Sequence, residues 1–204
     1  MAEFLIAYDV EIAECREIEP DESLWLRGPR VSTVRDIDRR RETGIEFVRA
    51  YMDEAAAGEW QIWTLPDGSP GIEAEFRVDL GGVAVKGFID QILYWPKYQT
   101  VTVRDLKTGR SVATALQLGT YAQAVKLTWG AEVEWGDFWY ARKAASGGMV
   151  NLARYSHEYL SALFGQLRDG IAAGVFLPNP SESCAITCGV RRACREMGRT
   201  TAFF

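Results

Sequence analysis

The stretch Gly87–Arg110 (G-F-I-D-Q-I-L-Y-W-P-K-Y-Q-T-V-T-V-R-D-L-K-T-G-R) constrains the chain more than any other, because it puts charge inside two strand patterns. In the first strand Val83, Val85, Phe88, Ile89, Ile92 and Leu93 are apolar, and Asp90 sits among them with no basic neighbour nearby. In the second, Val101 and Val103 alternate with Thr100, Thr102 and Arg104, the period of a half-buried strand. That alternation runs into Asp105-Leu106-Lys107. Side chains two apart on an extended backbone share a face, so Asp105 and Lys107 stand side by side and Leu106 turns away. Trp95-Pro96-Lys97 supplies the turn between the strands, since proline fixes its own dihedral and restricts the residue before it.

Two carboxylates on adjacent strands can hold a hard divalent cation, which takes oxygen ligands and keeps several waters. A lysine beside them can stabilise charge developing on a phosphate. An aspartate and a lysine alternating on a strand can also be a solvated salt bridge. Asp90 argues against that reading, because a carboxylate placed unpaired in an apolar strand is expensive.

The motifs G-F-I-D-Q-I, D-L-K-T-G and Q-L-G-T-Y-A, in this order, resemble the RecB-type nuclease domain of the PD-(D/E)XK superfamily, in its CRISPR-associated and bacteriophage exonuclease-like branch. Gly87 and Asp90 match the first family motif. Asp105, Lys107, Thr108 and Gly109 match the second, and Gln117 and Tyr121 the third. The resemblance covers residues 72–195. It implies an α/β fold with a restriction-endonuclease-like core, a mixed central sheet flanked by helices.

What the resemblance implies about chemistry is a divalent-metal-dependent deoxyribonuclease using Mg2+ or Mn2+. Asp90, Asp105, the carbonyl of Leu106 and a glutamate would ligate the ion. Glu75 is the choice for that glutamate, with Glu73 the runner-up. Lys107 would act on the nucleophile or the phosphate, supported by Gln117 and Tyr121. The implied substrate is DNA, single-stranded or with free ends, cut as an exonuclease would. The implied settings are recombination, bacteriophage DNA metabolism and CRISPR spacer acquisition, with protein partners belonging to them. A family histidine ligand, which opens the first helix in a glycine-x-x-x-histidine pair, is replaced here, since Gly28 to Ser32 ends in serine. That departure supports a competing reading, a nuclease-fold DNA-binding module without turnover.

Cys15, Cys184, Cys188 and Cys194 are the four cysteines, the last three spaced C-x3-C-x5-C. Clustered thiols in a reducing compartment point to metal before disulfide. Several RecB-type exonucleases hold a 4Fe-4S iron-sulfur cluster through one early and three late cysteines, so the resemblance implies a cluster here. Thiolates suit zinc equally, and ordinary thiols are the remaining reading.

The net charge of −5 is awkward for a nucleic-acid protein, but it is unevenly spread. Residues 1–24 hold eight acids and one arginine, and the rest 20 acids against 22 Lys+Arg. A positive groove must therefore be local. Arg191, Arg192, Arg195 and Arg199 make the tail the most basic stretch. No run of apolar residues is long enough to span a membrane, and the opening Met-Ala-Glu lacks the basic flank before an apolar segment that a signal peptide has, so a cytoplasmic protein is expected.

Three parts are expected: an N-terminal arm over 1–30, a nuclease core over 31–177, and a Cys-rich tail over 178–204 packing on the core. Phe4, Leu5, Ile6, Tyr8 and Val10 suggest a short strand or extended arm. A helix follows from Ser32 or Thr33 to Ala57, with Arg35, Arg39, Arg40 and Arg49 on its solvated face. Strands are expected at 60–65 and 72–80, then a tight hairpin at Gly81-Gly82. A helix over 114–129 stacks Gln117 and Tyr121 on one face, four residues apart. Strands at 133–141 and 149–155 and a helix at 156–173 complete the core. His157, the only histidine, opens that last helix as a surface or capping residue.

Overall fold

A computed structural model of the chain describes residues 1–28, 30–109 and 114–175, together with Cys184, Cys188 and Cys194. The basic residues Arg191, Arg192, Arg195 and Arg199 and the linker around Pro178 lie outside the described residues. Strand β3 (Ala84–Trp95) is the hub of a mixed sheet. It pairs antiparallel with β2 (Ile72–Asp79) and β1 (Gln61–Ile62), and antiparallel with β4 (Thr100–Lys107). β5 (Trp135–Tyr140) then runs parallel to β4, and the short β6 (Ala145–Ser146) and β7 (Val150–Asn151) pair with β5. A parallel neighbour needs a crossover, and α3 (Ala115–Trp129) is that crossover. The fold is thus the expected α/β core.

Local chemistry makes the hairpins. Gly81 and Gly82 take φ of 66° and 77°, as a two-residue turn with both central residues left-handed requires. Leu80 N–H donates to Val83 O at 2.9 Å and closes it. At the far end of β3, Tyr98 N–H donates to Trp95 O at 3.1 Å across Pro96.

The two faces of the sheet are covered by different helices. Phe76, Val78, Ile89, Ile92, Val103 and Phe138 pack with Leu118, Tyr121, Ala122 and Val125 of α3. On the other face Tyr51 of α2 (Thr33–Ala56) meets the Trp139 ring edge-on, centroids 4.8 Å apart. Phe138 and Trp139 therefore face opposite sides, as period two demands. β4 is buried on both faces, so Thr102 and Arg104, read from the sequence as its polar side, are interior residues.

The N-terminal arm is a correction. Residues Ala2–Ile18 form a helix, α1, not a strand. Phe4, Ile6, Tyr8 and Val10 imitate period two, but Ile6 and Val10 are exposed while Phe4 and Tyr8, four apart, share a helical face. Tyr8 Oη donates to Ile37 O at 2.8 Å, and Arg41 pairs with Asp9. Gly44 of α2 allows this approach, because a Cβ there would overlap the Phe4 ring. The long helix α2 starts where expected, with Ser32 Oγ accepting the Arg35 N–H at 3.4 Å. The expected strand over 149–155 shrinks to Val150–Asn151, and that over 60–65 to Gln61–Ile62 with a bridge from Thr64 to Pro70. The last helix, α4, runs His157–Ala172. Among the described residues no helix is long and apolar enough to cross a membrane.

Candidate active site

An irregularity in β3 positions the site. Ile89 and Ile92 are three apart yet both join the cluster under α3, so the strand changes face across Asp90-Gln91. Backbone pairing with β4 runs from Trp95–Thr100 to Gln91–Arg104. The next link is a side chain: Asp90 Oδ2 accepts the Leu106 N–H at 2.8 Å. On the β2 side, Glu73 lies between the pairs Ile72–Gln91 and Ala74–Ile89 and takes a φ of 47°. A non-glycine residue held there is strained, and such strain gathers at functional positions.

Asp105 is 2% exposed. Its Oδ2 forms a close ion pair with Lys107 Nζ at 2.6 Å. Lys107 Nζ donates to Gln117 Oε1 at 2.9 Å, and Gln117 Nε2 donates to Tyr121 Oη at 2.9 Å. Lysine has no acceptor, so the amide orientation is forced and Tyr121 keeps its own O–H to donate. The four residues form one line from the strand edge onto α3.

Burial pushes the Asp105 carboxyl up; Lys107 pulls it back and Asp90 raises it further. Tyr121 is raised chiefly by burial, with Gln117 opposing and Asp90, Asp105 and Glu73 adding. Glu73 thus acts on the same hydroxyl as the two aspartates. Glu73 and Glu75 are both exposed, and the register partner of Glu75 is the exposed Phe88. Among the described residues no three histidine, cysteine, aspartate or glutamate side chains come together as a group that could hold a metal ion. Two carboxylates with one ammonium leave a net negative pocket, which suits a cation bound largely by water.

Behind the site lies a network that sequence reasoning missed. Arg104, 1% exposed, grips Asp137 through Nε at 2.9 Å and its terminal nitrogen at 2.7 Å, and reaches Glu54 at 2.9 Å. Its guanidinium lies 5.1 Å from the Trp60 ring, Ser146 Oγ donates to Asp137, and Tyr51 donates to Gln91. Burial works against the Arg104 charge, and Asp137 and Glu54 more than offset it. Being adjacent to Asp105 on one strand, Arg104 anchors the opposite face of the backbone that carries the site.

The remaining candidates fall elsewhere. His157 is exposed, with a ring nitrogen 3.4 Å from Ser161 Oγ. Cys15 is on α1 and lines a small cleft beside Trp25. Cys184, Cys188 and Cys194 are half-buried, and among the described residues the cysteines form no group of three that could hold a metal. An iron–sulfur or zinc centre has no described seat.

Comparison with known proteins agrees with this geometry. The family model of the PD-(D/E)XK nuclease superfamily matches residues 16–195. The Gene 69 protein of Mycobacterium phage D29 is 31% identical over 192 residues, covering 92% of this chain and 71% of the relative. The Gene 69 protein of Mycobacterium phage L5 is 29% identical over 211 residues, covering 92% and 72%.

Proposed function

The chain belongs to the PD-(D/E)XK nuclease superfamily, and on that footing we propose that it is a divalent-metal-dependent deoxyribonuclease that hydrolyses phosphodiester bonds as an exonuclease. The observation that carries this reading is the buried Asp105 carboxylate, set within reach of Asp90's charge and paired with the Lys107 ammonium at 2.6 Å. Two acids against one ammonium leave a negative charge that a divalent cation would offset.

Asp90, Asp105 and the Leu106 carbonyl are the ligands we assign to Mg2+ or Mn2+, with Glu73 rather than Glu75 as the third carboxylate. Its place opposite Asp90 and its action on Tyr121 support that choice. The ion would polarise a phosphoryl oxygen and make a water acidic enough to attack. In the step a water oxygen bonds to phosphorus and gives its proton to solvent, one P–O bond to a sugar oxygen breaks, and that oxygen takes a proton from solvent to leave as the hydroxyl.

The chain's own groups do the rest. The Leu106 N–H fixes one Asp90 oxygen and so aims the other. Lys107 offers its N–H groups to the charge that builds on the non-bridging oxygens, and Gln117 keeps its ammonium from turning away. Tyr121 can donate its O–H to a phosphate oxygen on the same side. The mycobacteriophage relatives favour a setting in bacteriophage DNA metabolism over CRISPR spacer acquisition. The 4Fe-4S cluster implied by the resemblance has no comparable support; iron and acid-labile sulfide analysis of anaerobically prepared protein decides it.

End-labelled single-stranded and blunt duplex DNA, incubated with magnesium, with manganese or with a chelator, tests the assignment. Mononucleotides or short oligonucleotides released from an end only with metal are expected. Tight DNA binding without products in either metal would return the chain to a binding module.

A further inference from the structure

The network behind the site touches both of its strands one residue away from the aspartates themselves. Gln91 follows Asp90 on β3, and Arg104 precedes Asp105 on β4. The two are register partners, the last backbone pair before the Asp90–Leu106 link takes over. Both are buried, and cross-strand partners share a face, so this pair lies under α2 while Asp105 and Lys107 turn toward α3.

Two side chains of α2 hold the pair. Tyr51 and Glu54 are three apart and so on one helical face. Tyr51 Oη donates to Gln91 Oε1, and Arg104 donates to Glu54 Oε1 at 2.9 Å. The Arg104 charge also bears on the Tyr51 hydroxyl. Both ends of this contact are braced. The Tyr51 ring meets Trp139 edge-on at 4.8 Å between centroids and Trp60 at 6.0 Å, and Asp137 of β5 grips Arg104 at 2.9 and 2.7 Å.

Stability alone is a poor reason for such a network. A buried ion pair adds little over apolar packing of the same volume, but the planar guanidinium fork fits its carboxylates in one arrangement. The site has a use for a fixed arrangement. Asp90 and Asp105 are near enough for the charge of one to act on the other, and like charges at the end of a strand pair push it open. Backbone pairing of β3 with β4 ends at Gln91 and Arg104. The spacing of the two carboxylates therefore depends on how firmly that last pair is held.

We infer that Tyr51 and Glu54 are positioning residues: by holding Gln91 and Arg104 they set the separation of Asp90 and Asp105 at which a divalent cation binds. The inference rests on the metal assignment above and adds the part of the fold that tunes it. Groups that orient metal ligands without touching the ion commonly govern its affinity.

Mn2+ binding by the full chain without DNA tests it, the free ion being counted by its electron paramagnetic resonance signal. Tyr51→Phe keeps the ring between Trp60 and Trp139 and removes only the hydroxyl. Glu54→Gln keeps an oxygen for Arg104 and removes the charge. Each should weaken Mn2+ binding about tenfold. Tyr8→Phe is the control, since it removes a hydroxyl bonded to α2 at Ile37, roughly 20 Å along the helix from Tyr51. Its Mn2+ affinity should equal that of wild type. A double variant separates positioning from plain stability. Tyr51→Phe leaves the buried Gln91 amide without its donor, and adding Gln91→Leu removes that unpaired group, so the melting midpoint should recover toward wild type. Mn2+ affinity should stay low. In DNA digestion, the Mn2+ concentration giving half the maximal rate should rise about tenfold for Tyr51→Phe, with less than about threefold loss of rate at saturating metal.

Wild-type Mn2+ affinity in both single variants would overturn the inference. So would an equal loss in Tyr8→Phe, recovery of affinity together with stability in the double variant, or no Mn2+ binding by wild type. Mn2+ affinities that shift as expected in a protein that cuts no DNA would refute the nuclease reading and leave the positioning role standing.

Discussion

Asp90 and Leu106 are joined across β3 and β4 by a side chain where the backbone ladder leaves off, Asp90 Oδ2 accepting the Leu106 N–H at 2.8 Å. One carboxylate therefore has two jobs. It closes the splayed end of the strand pair, and it faces the buried Asp105.

Those jobs separate by substitution. Asp90→Asn keeps an oxygen that can accept the Leu106 N–H, so stability in chelator should stay within about 0.5 kcal/mol of wild type. Asp90→Ala leaves that N–H unpaired and should cost about 1–2 kcal/mol. Urea unfolding in chelator measures the difference, and DNA digestion should be lost in both. Equal stability of the two variants would mean the contact contributes nothing to the strand pair.

Asp105 is held against its own folding preference. Burial raises its carboxyl, and such a group stabilises the fold fully below its unfolded value of 3.8 and loses that contribution as pH rises through the raised folded value. The charged form at neutral pH is the strained one. Asp105→Asn should therefore raise the melting midpoint in chelator by about 2 °C or more, and flatten the loss of stability with rising pH. A lower midpoint would show that the Lys107 contact outweighs burial.

Lys107 should matter to rate far more than to binding. Lys107→Ala is expected to lower kcat about 100-fold or more while DNA affinity changes less than about threefold, since its charge acts on the transition state. Gln117→Leu frees the ammonium without removing it and should cost about tenfold in kcat. A loss confined to KM for either variant would make the pair an ordinary phosphate contact.

Asp36 predicts an acid limit to stability. Burial pushes its carboxyl up, but Arg40, the Gly28 N–H and Arg39 together hold it below 3.8. Its stabilisation is full above 3.8 and disappears as pH falls through the lower folded value. Wild type should lose stability to urea on acidification through this range, and Asp36→Asn should show less of that loss while being about 1–3 kcal/mol less stable near neutrality. Identical acid profiles would remove Asp36 from the account.

The site was legible because its parts are local. Asp105 and Lys107 are two apart on one strand, Gln117 and Tyr121 four apart on one helix, and elementary periodicity puts each pair on a face. What escaped was built from distance. Arg104 meets Asp137 from 33 residues away and Glu54 from 50, so a guanidinium on the outer side of an alternating pattern gave no hint of burial. Arg39 and Arg40 read as a solvated helix face because Arg142 and Phe4, which line a cleft with them, come from distant parts of the chain. α1 was hidden by exposed Ile6 and Val10, whose apolar side chains mimicked a strand. Glu73 and Glu75 lie on one alternating strand, and only the left-handed φ of Glu73 sets them apart, which no sequence pattern shows.

Digestion of end-labelled DNA by Asp105→Asn, in manganese and beside wild type, tests the central claim most directly. Asparagine fills the same volume and removes one charge, so the fold and the Lys107–Gln117–Tyr121 line should survive. The expected result is metal-dependent release of product by wild type and none by the variant, from protein that melts no lower. Digestion by Asp105→Asn at the wild-type rate would contradict the claim that this carboxylate holds the cation.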